Sequence, residues 1–174
     1  MISPDYIRLM AAYSQWQNRS IYGAADTLTD DDRRTDRGAF FGSIHATLNH
    51  LLWADQLWLH RLAGTPPPPQ PDIPSSVNMI GDWPALCEAR KATDRAILDW
   101  SERVTEEDIQ GEFGWYSGAI QAEVRRPRWA LVIQLFNHGT HHRGQVHAML
   151  TAAGAKPDDT DVPFMQSERF PWPT

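Results

Sequence analysis

The sequence predicts an all-α protein, a bundle of four long helices in one domain spanning residues 1–174 with long connecting loops. Three observations carry this. Four stretches repeat apolar residues at three-and-four spacing, which puts them on one side of a helix. They are separated by charged, proline-rich or glycine-rich segments. And 174 residues with 41% hydrophobic and 22% charged side chains suit a single buried core.

Ser3 and Pro4, a capping residue and the residue best tolerated in a first turn, open the first helix. Tyr6, Leu9, Met10, Tyr13, Trp16 and Gln17 continue it at helical spacing to about residue 28. The stretch TDDDRRTDRG has no apolar periodicity and reads as a surface connection. A second helix is expected over about 40–63, apolar around most of its circumference and ended by Gly64. Residues 65–78 hold six of the thirteen prolines, a composition that favours extended chain over helix. Each flank is too short to fold alone, so this is a loop between bundle helices. An amphipathic third helix follows over about 82–103. The glycines at 111, 114 and 118 interrupt short apolar runs between 112 and 124, which suggests a hairpin. The last helix covers about 127–153, closed by Gly154 and Pro157. The tail from 158 is expected to pack as extended chain.

The seven histidines carry the functional argument. His138 and His142 lie four apart and leave one face of the last helix a turn apart. They fall in the stripe Leu131, Leu135, His138, His142, Val146, Met149, the seam that faces the core. Two buried imidazoles side by side need partners, and protonating both would crowd like charges in a low dielectric. A divalent cation answers both needs. His50, within the apolar second helix, is the candidate third ligand. Three imidazoles leave a coordination position open, the catalytic rather than the structural pattern for zinc, and nickel or iron would also accept them.

His141 flanks the stripe and is the one nearby candidate for a catalytic proton carrier. His45, His60 and His147 read as surface residues. Gly139 and Gly144 each cost about 1 kcal/mol of helix propensity, which close approach of a neighbouring helix would offset. Asp55, among leucines and tryptophans, needs a cationic partner. Arg143 is the candidate, although Asp55 could instead orient a ligand histidine. Trp53, Tyr13, Trp16 and Gln17 are core residues that could also line a cleft.

Composition excludes other classes. A net charge of -6 disfavours a phosphate-binding surface, so no nucleic acid is expected as partner. No apolar run reaches the roughly 18–20 residues of a membrane span. One cysteine, Cys87, forms no internal disulfide, and no signal segment opens the chain. A cytoplasmic protein is expected.

The segments YSQWQNRSIYGAA, GSIHATLNHLLWADQLWLHRLAG, LFNHGTHHRGQVHAMLTAAG and DDTDVPFM closely resemble the DinB-like metalloprotein family, with NHGTHHRGQ the most specific block. The resemblance covers nearly the whole chain. It implies an up-down-down-up four-helix bundle, often a homodimer, with a divalent metal on His50, His138 and His142. It further implies a small-molecule substrate and thiol-dependent transferase or isomerase chemistry with a low-molecular-weight thiol. The family name records induction by DNA damage, not DNA binding. The alternative is a metal-binding stress or interaction protein without turnover, and a third reading leaves the histidines merely hydrogen-bonded.

Overall fold

The computed structural model describes residues 2–168 and 170, and the chain is mostly helical with one small antiparallel ribbon. Its elements are α1 (Pro4–Asp26), α2 (Asp30–Arg34), α3 (Ile44–Ala63), α4 (Ile73–Ser76), α5 (Trp83–Ser101), β1 (Glu112–Ser117), β2 (Ala122–Pro127) and α6 (Arg128–Ala152). The four long helices are α1, α3, α5 and α6.

Their ends follow from capping. The hydroxyls of Ser3 and Ser43 accept from the amides of Tyr6 and Ala46, and Asp82 accepts from Ala85, satisfying amides that have no partner inside the helix. Gly64 closes α3 in the left-handed region at φ 69°. After α6, the amides of Gly154 and Ala155 donate to the carbonyls of Thr151 and Leu150, with Gly154 at φ 84°, a Schellman ending that only glycine adopts without strain. The expected second helix begins four residues later than its periodicity suggested. Residues 36–43 instead form a tight turn, in which the Gly42 amide donates to the Ala39 carbonyl.

α1 packs against α5 and α6, and α3 packs against the same two. The core between them has three levels. One apolar cluster joins Ile7, Ala11 and Tyr13 to Leu59, Ile97, Leu98, Val132, Leu135 and Phe136. A second joins Ile21, Ala25, Ile44, Leu48, Leu52, Leu86, Val146 and Leu150. Between the two in sequence, on every long helix, lie buried polar residues: Gln17 and Asn18, then Asp55, then Arg90 and Asp94, then His142 and Arg143, with His50 five residues before Asp55 among the residues of the second cluster.

Several expectations are corrected at this belt and in the loops. Asp55 is paired with Arg90, not Arg143: Arg90 Nη1 donates to Asp55 Oδ2 at 2.7 Å and Nη2 lies 2.8 Å from Asp94 Oδ1. The reason is that α5 also packs on α3, and a guanidinium there reaches two carboxylates at once. Arg143 is buried against Tyr13, 5.8 Å from its ring centroid, and bonds Thr140. The charged connection is not wholly surface, because Arg33 of α2 is buried over the Trp83 ring at 4.5 Å. The proline-rich loop contains the one-turn helix α4, capped by Asp72 with Pro74 in its first turn, where a missing amide costs nothing.

The glycines of α6 differ from expectation as well. A Cβ at Gly139 would fall 2.9 Å from Arg143 Nη1 of the same helix, whereas one at exposed Gly144 meets nothing within 4 Å. Gly144→Ala should therefore stabilise the protein by up to about 1 kcal/mol, and Gly139→Ala should not. Thermal melts of the two variants separate these outcomes.

The expected hairpin forms, with Trp115 paired to Val124. Trp115 meets Trp58 of α3 edge-on at 5.9 Å. The tail as far as residue 168 crosses α1 largely as extended chain with one short turn at Val162–Phe164, and its last residues, 171–174, lie outside the described residues. The Tyr13 hydroxyl donates to the Thr160 carbonyl, Gln17 to that of Asp159, and the Asp158 amide to Ser20. Tyr13 and Gln17 are thereby committed to packing the tail. Among the described residues, no helix is long and apolar enough to cross a membrane.

Candidate metal centre

His50 leaves α3 and His138 and His142 leave α6 at the height of the polar belt. The structure brings the three together: one nitrogen of each lies within 4.8 Å of the others, an arrangement that could hold a metal ion. His138 Nε2 is 3.4 Å from His50 Nε2 and 3.2 Å from His142 Nε2. Tetrahedral ligation with bonds of about 2.05 Å requires nitrogens about 3.3 Å apart.

The opposite ring nitrogens decide which way the lone pairs face. The Ser76 hydroxyl donates to the Ile73 carbonyl at 2.6 Å, so its oxygen is left to accept from His50 Nδ1 at 2.9 Å. His142 Nδ1 donates to Gln145 Oε1 at 2.8 Å. Both imidazoles then carry their proton on Nδ1 and turn an Nε2 lone pair inward. His138 Nδ1 is buried without a hydrogen-bond partner. Its Nε2 faces two lone pairs and has one proton for both at most. A cation at the point of convergence satisfies all three nitrogens, so the donor set fits a metal.

Burial keeps the imidazoles neutral. Removal from water, then the neighbouring His142, pushes His50 down to about 4. Desolvation first, then His142, His50 and His141, pushes His138 down to about 3. His142 is lowered by burial too, with the Gln145 bond acting the other way. An unfolded histidine takes up its proton near pH 6.5, whereas folded His50 does so only near 4. Its stabilising contribution is thus complete above 6.5 and lost as pH falls towards 4. Chelator-treated protein should therefore lose stability as pH falls across that window, the three neighbouring imidazoles contributing together. Chemical denaturation in steps from pH 7.5 to 4.5 checks it, and a flat profile contradicts it.

Aromatic rings close the surroundings. Phe41, in the turn before α3, lies 4.1 Å from the His50 ring and 5.4 Å from that of His142, centroid to centroid. Trp53 is 5.7 Å from His50, and its indole donates to the Gln70 carbonyl. His141 is exposed, with its ring 4.9 Å from that of His142. His60 and His147 are half-buried and outside the cluster. His45, expected on the surface, is buried with Nε2 3.0 Å from the Ile80 carbonyl, because the segment before α5 folds over that side of α3.

Ser76, Gln145 and Phe41 are the site residues that sequence reasoning missed. Ser76 and Phe41 reach it from loops, and the one local signal was the glycine-bracketed aromatic pair in Gly38-Ala39-Phe40-Phe41-Gly42. Ser76→Ala or Gln145→Leu should weaken metal binding about 10–100-fold, the usual cost of losing a ligand's orienting partner. Competition against a chelator of known affinity measures it.

The fold and the site together define a helical protein with a buried three-histidine cluster suited to a metal ion. A family model for the DinB family matches residues 1–171. The chain belongs to the DinB family. A solved structure of a DinB-like protein from Bacillus cereus ATCC 10987 is similar at a TM-score of 0.62 and 16% identity, covering 83% of this chain and 91% of that one. No curated protein is found to match.

Proposed function

We propose that this protein is a metal-dependent enzyme whose divalent cation, zinc, nickel or iron, is held by His50, His138 and His142. The observation that carries the reading is the convergence of three Nε2 atoms while two of the Nδ1 atoms are engaged with Ser76 and Gln145. When bound there, a divalent cation lowers the pKa of a coordinated thiol or water and so supplies a nucleophile near neutral pH.

The chain's own residues do the rest. Ser76 and Gln145 hold two imidazoles with their lone pairs inward. Phe41 and Trp53 keep water from the flanks of His50, which strengthens electrostatic interactions at that point. His141, exposed beside His142, is the catalytic proton carrier in this reading. The reaction proposed is thiol-dependent S-transfer or a related hydrolysis on a small electrophile, in a cytoplasmic homodimer.

The chain forms one domain in this reading, with its long helices running up-down-down-up. The apolar clusters support that order: the first halves of α1 and α6 share one with the second halves of α3 and α5. The deciding experiment is elemental analysis of untagged protein purified without chelator, beside His50→Ala. A near-stoichiometric metal absent from the variant, with thiol consumption only in loaded protein, supports the reading. No metal in either after reconstitution with zinc, nickel or iron overturns it, and bound metal without turnover leaves a non-catalytic metal-binding protein.

A further inference from the structure

Two of the large hydrophobic side chains exposed on the surface belong to the loops that touch His50. Phe40 is 80% exposed and Ile73 is 40% exposed. Phe40 packs edge-on against Phe41 at 4.8 Å, and Phe41 lies on the rings of His50 and His142. Ile73 supplies the carbonyl that holds the Ser76 hydroxyl. An isolated exposed phenylalanine means little, but Phe40 and Phe41 form a contiguous aromatic pair that runs from solvent to the imidazoles, and an apolar wall beside a few convergent polar groups is how ligand sites are lined.

The turn that carries the pair is built to present it. Ala39 and Gly42 bridge the turn, with φ of 73° at Gly38 and 75° at Gly42, conformations that favour glycine. Asp36 accepts from the Gly38 amide at 2.9 Å, and the Arg37 amide donates to the Gly42 carbonyl at 2.9 Å. Phe40 and Phe41 occupy the two middle positions of this closed loop, one outward and one on the imidazoles.

We infer that Phe40 and Phe41 form the specificity wall of the site and select a ligand with an aromatic or bulky apolar group beside its metal-binding atom. The inference rests on the metal-centre reading and adds the chemical class of the ligand to it. A ring entering beside Phe40 and Phe41 meets an aromatic pair already held in place by its contact with two imidazoles, and gains apolar burial and ring–ring contact that a short alkyl group does not.

Calorimetric titration of the cobalt-loaded protein with phenylmethanethiol and with ethanethiol tests it. Phenylmethanethiol should bind at least tenfold more tightly, a difference of about 1.4 kcal/mol. Phe41→Ala should bring the two affinities to within about twofold. Phe40→Ser, at an exposed position where folding is not at stake, should narrow the ratio in the same direction. Cobalt content is measured in every sample. An unchanged ratio in both variants with cobalt retained overturns the specificity wall, as does absence of binding by either thiol, while leaving the metal centre standing. Failure of the parent protein to hold cobalt overturns the metal reading instead.

Discussion

Protein carrying His138→Ala or His142→Ala is expected to leave a chelator-free purification folded but without metal, whereas His147→Ala keeps its full complement. The first two substitutions remove nitrogens that meet at one point, and the two left are too few to retain the ion through purification. The loss in affinity should exceed the 10–100-fold expected for an orienting partner. His147 shares the helix but lies outside the cluster, so it controls for changes to α6 itself. Stability should change little in His138→Ala, because His138 Nδ1 is already without a partner, and somewhat more in His142→Ala, which leaves Gln145 Oε1 without the Nδ1 proton it accepts. Equal metal content in all three variants would sink the assignment.

The second large effect is at Arg90. Arg90→Met should destabilise the protein by about 3–5 kcal/mol, because Asp55 and Asp94 would remain buried with their shared counter-charge removed. Both carboxyls are pushed above the usual carboxylate range by burial and pulled back by Arg90. Combining Arg90→Met with Asp55→Asn and Asp94→Asn should recover most of the loss, since the amides carry no charge to compensate. Urea unfolding measures both. A loss below about 1 kcal/mol for the single variant would show that the buried pairs do not carry the belt.

The helices and three of the site residues were legible because their signals are local. A turn-spaced pair inside an apolar stripe places His138 and His142 on one buried face, and an apolar helix containing His50 is the natural facing partner. Capping by Ser3 and the endings at Gly64 and Gly154 set limits that periodicity alone leaves loose. What was not legible depends on which helix packs where. Asp55 meets Arg90 rather than Arg143 because of the approach of α5, and nothing in the spacing along either helix encodes that approach. His45 is buried by a segment that starts more than thirty residues later. Ser76 and Phe41 come from turns whose direction is set by proline, glycine and capping residues acting together.

The belt of polar residues at mid-height also acts as an index mark along the helix axes. Leucine against leucine tolerates a displaced neighbour, but a guanidinium between Asp55 and Asp94, with Asn18 of α1 bonded to Asp94 at 2.8 Å, has one position that satisfies all of them. A slip of α3 or α6 by one turn, about 5.4 Å, would carry His50 out of reach of a cation shared with His138 and His142. The same few side chains that interrupt the apolar core therefore hold the alignment on which convergence of the three imidazoles depends.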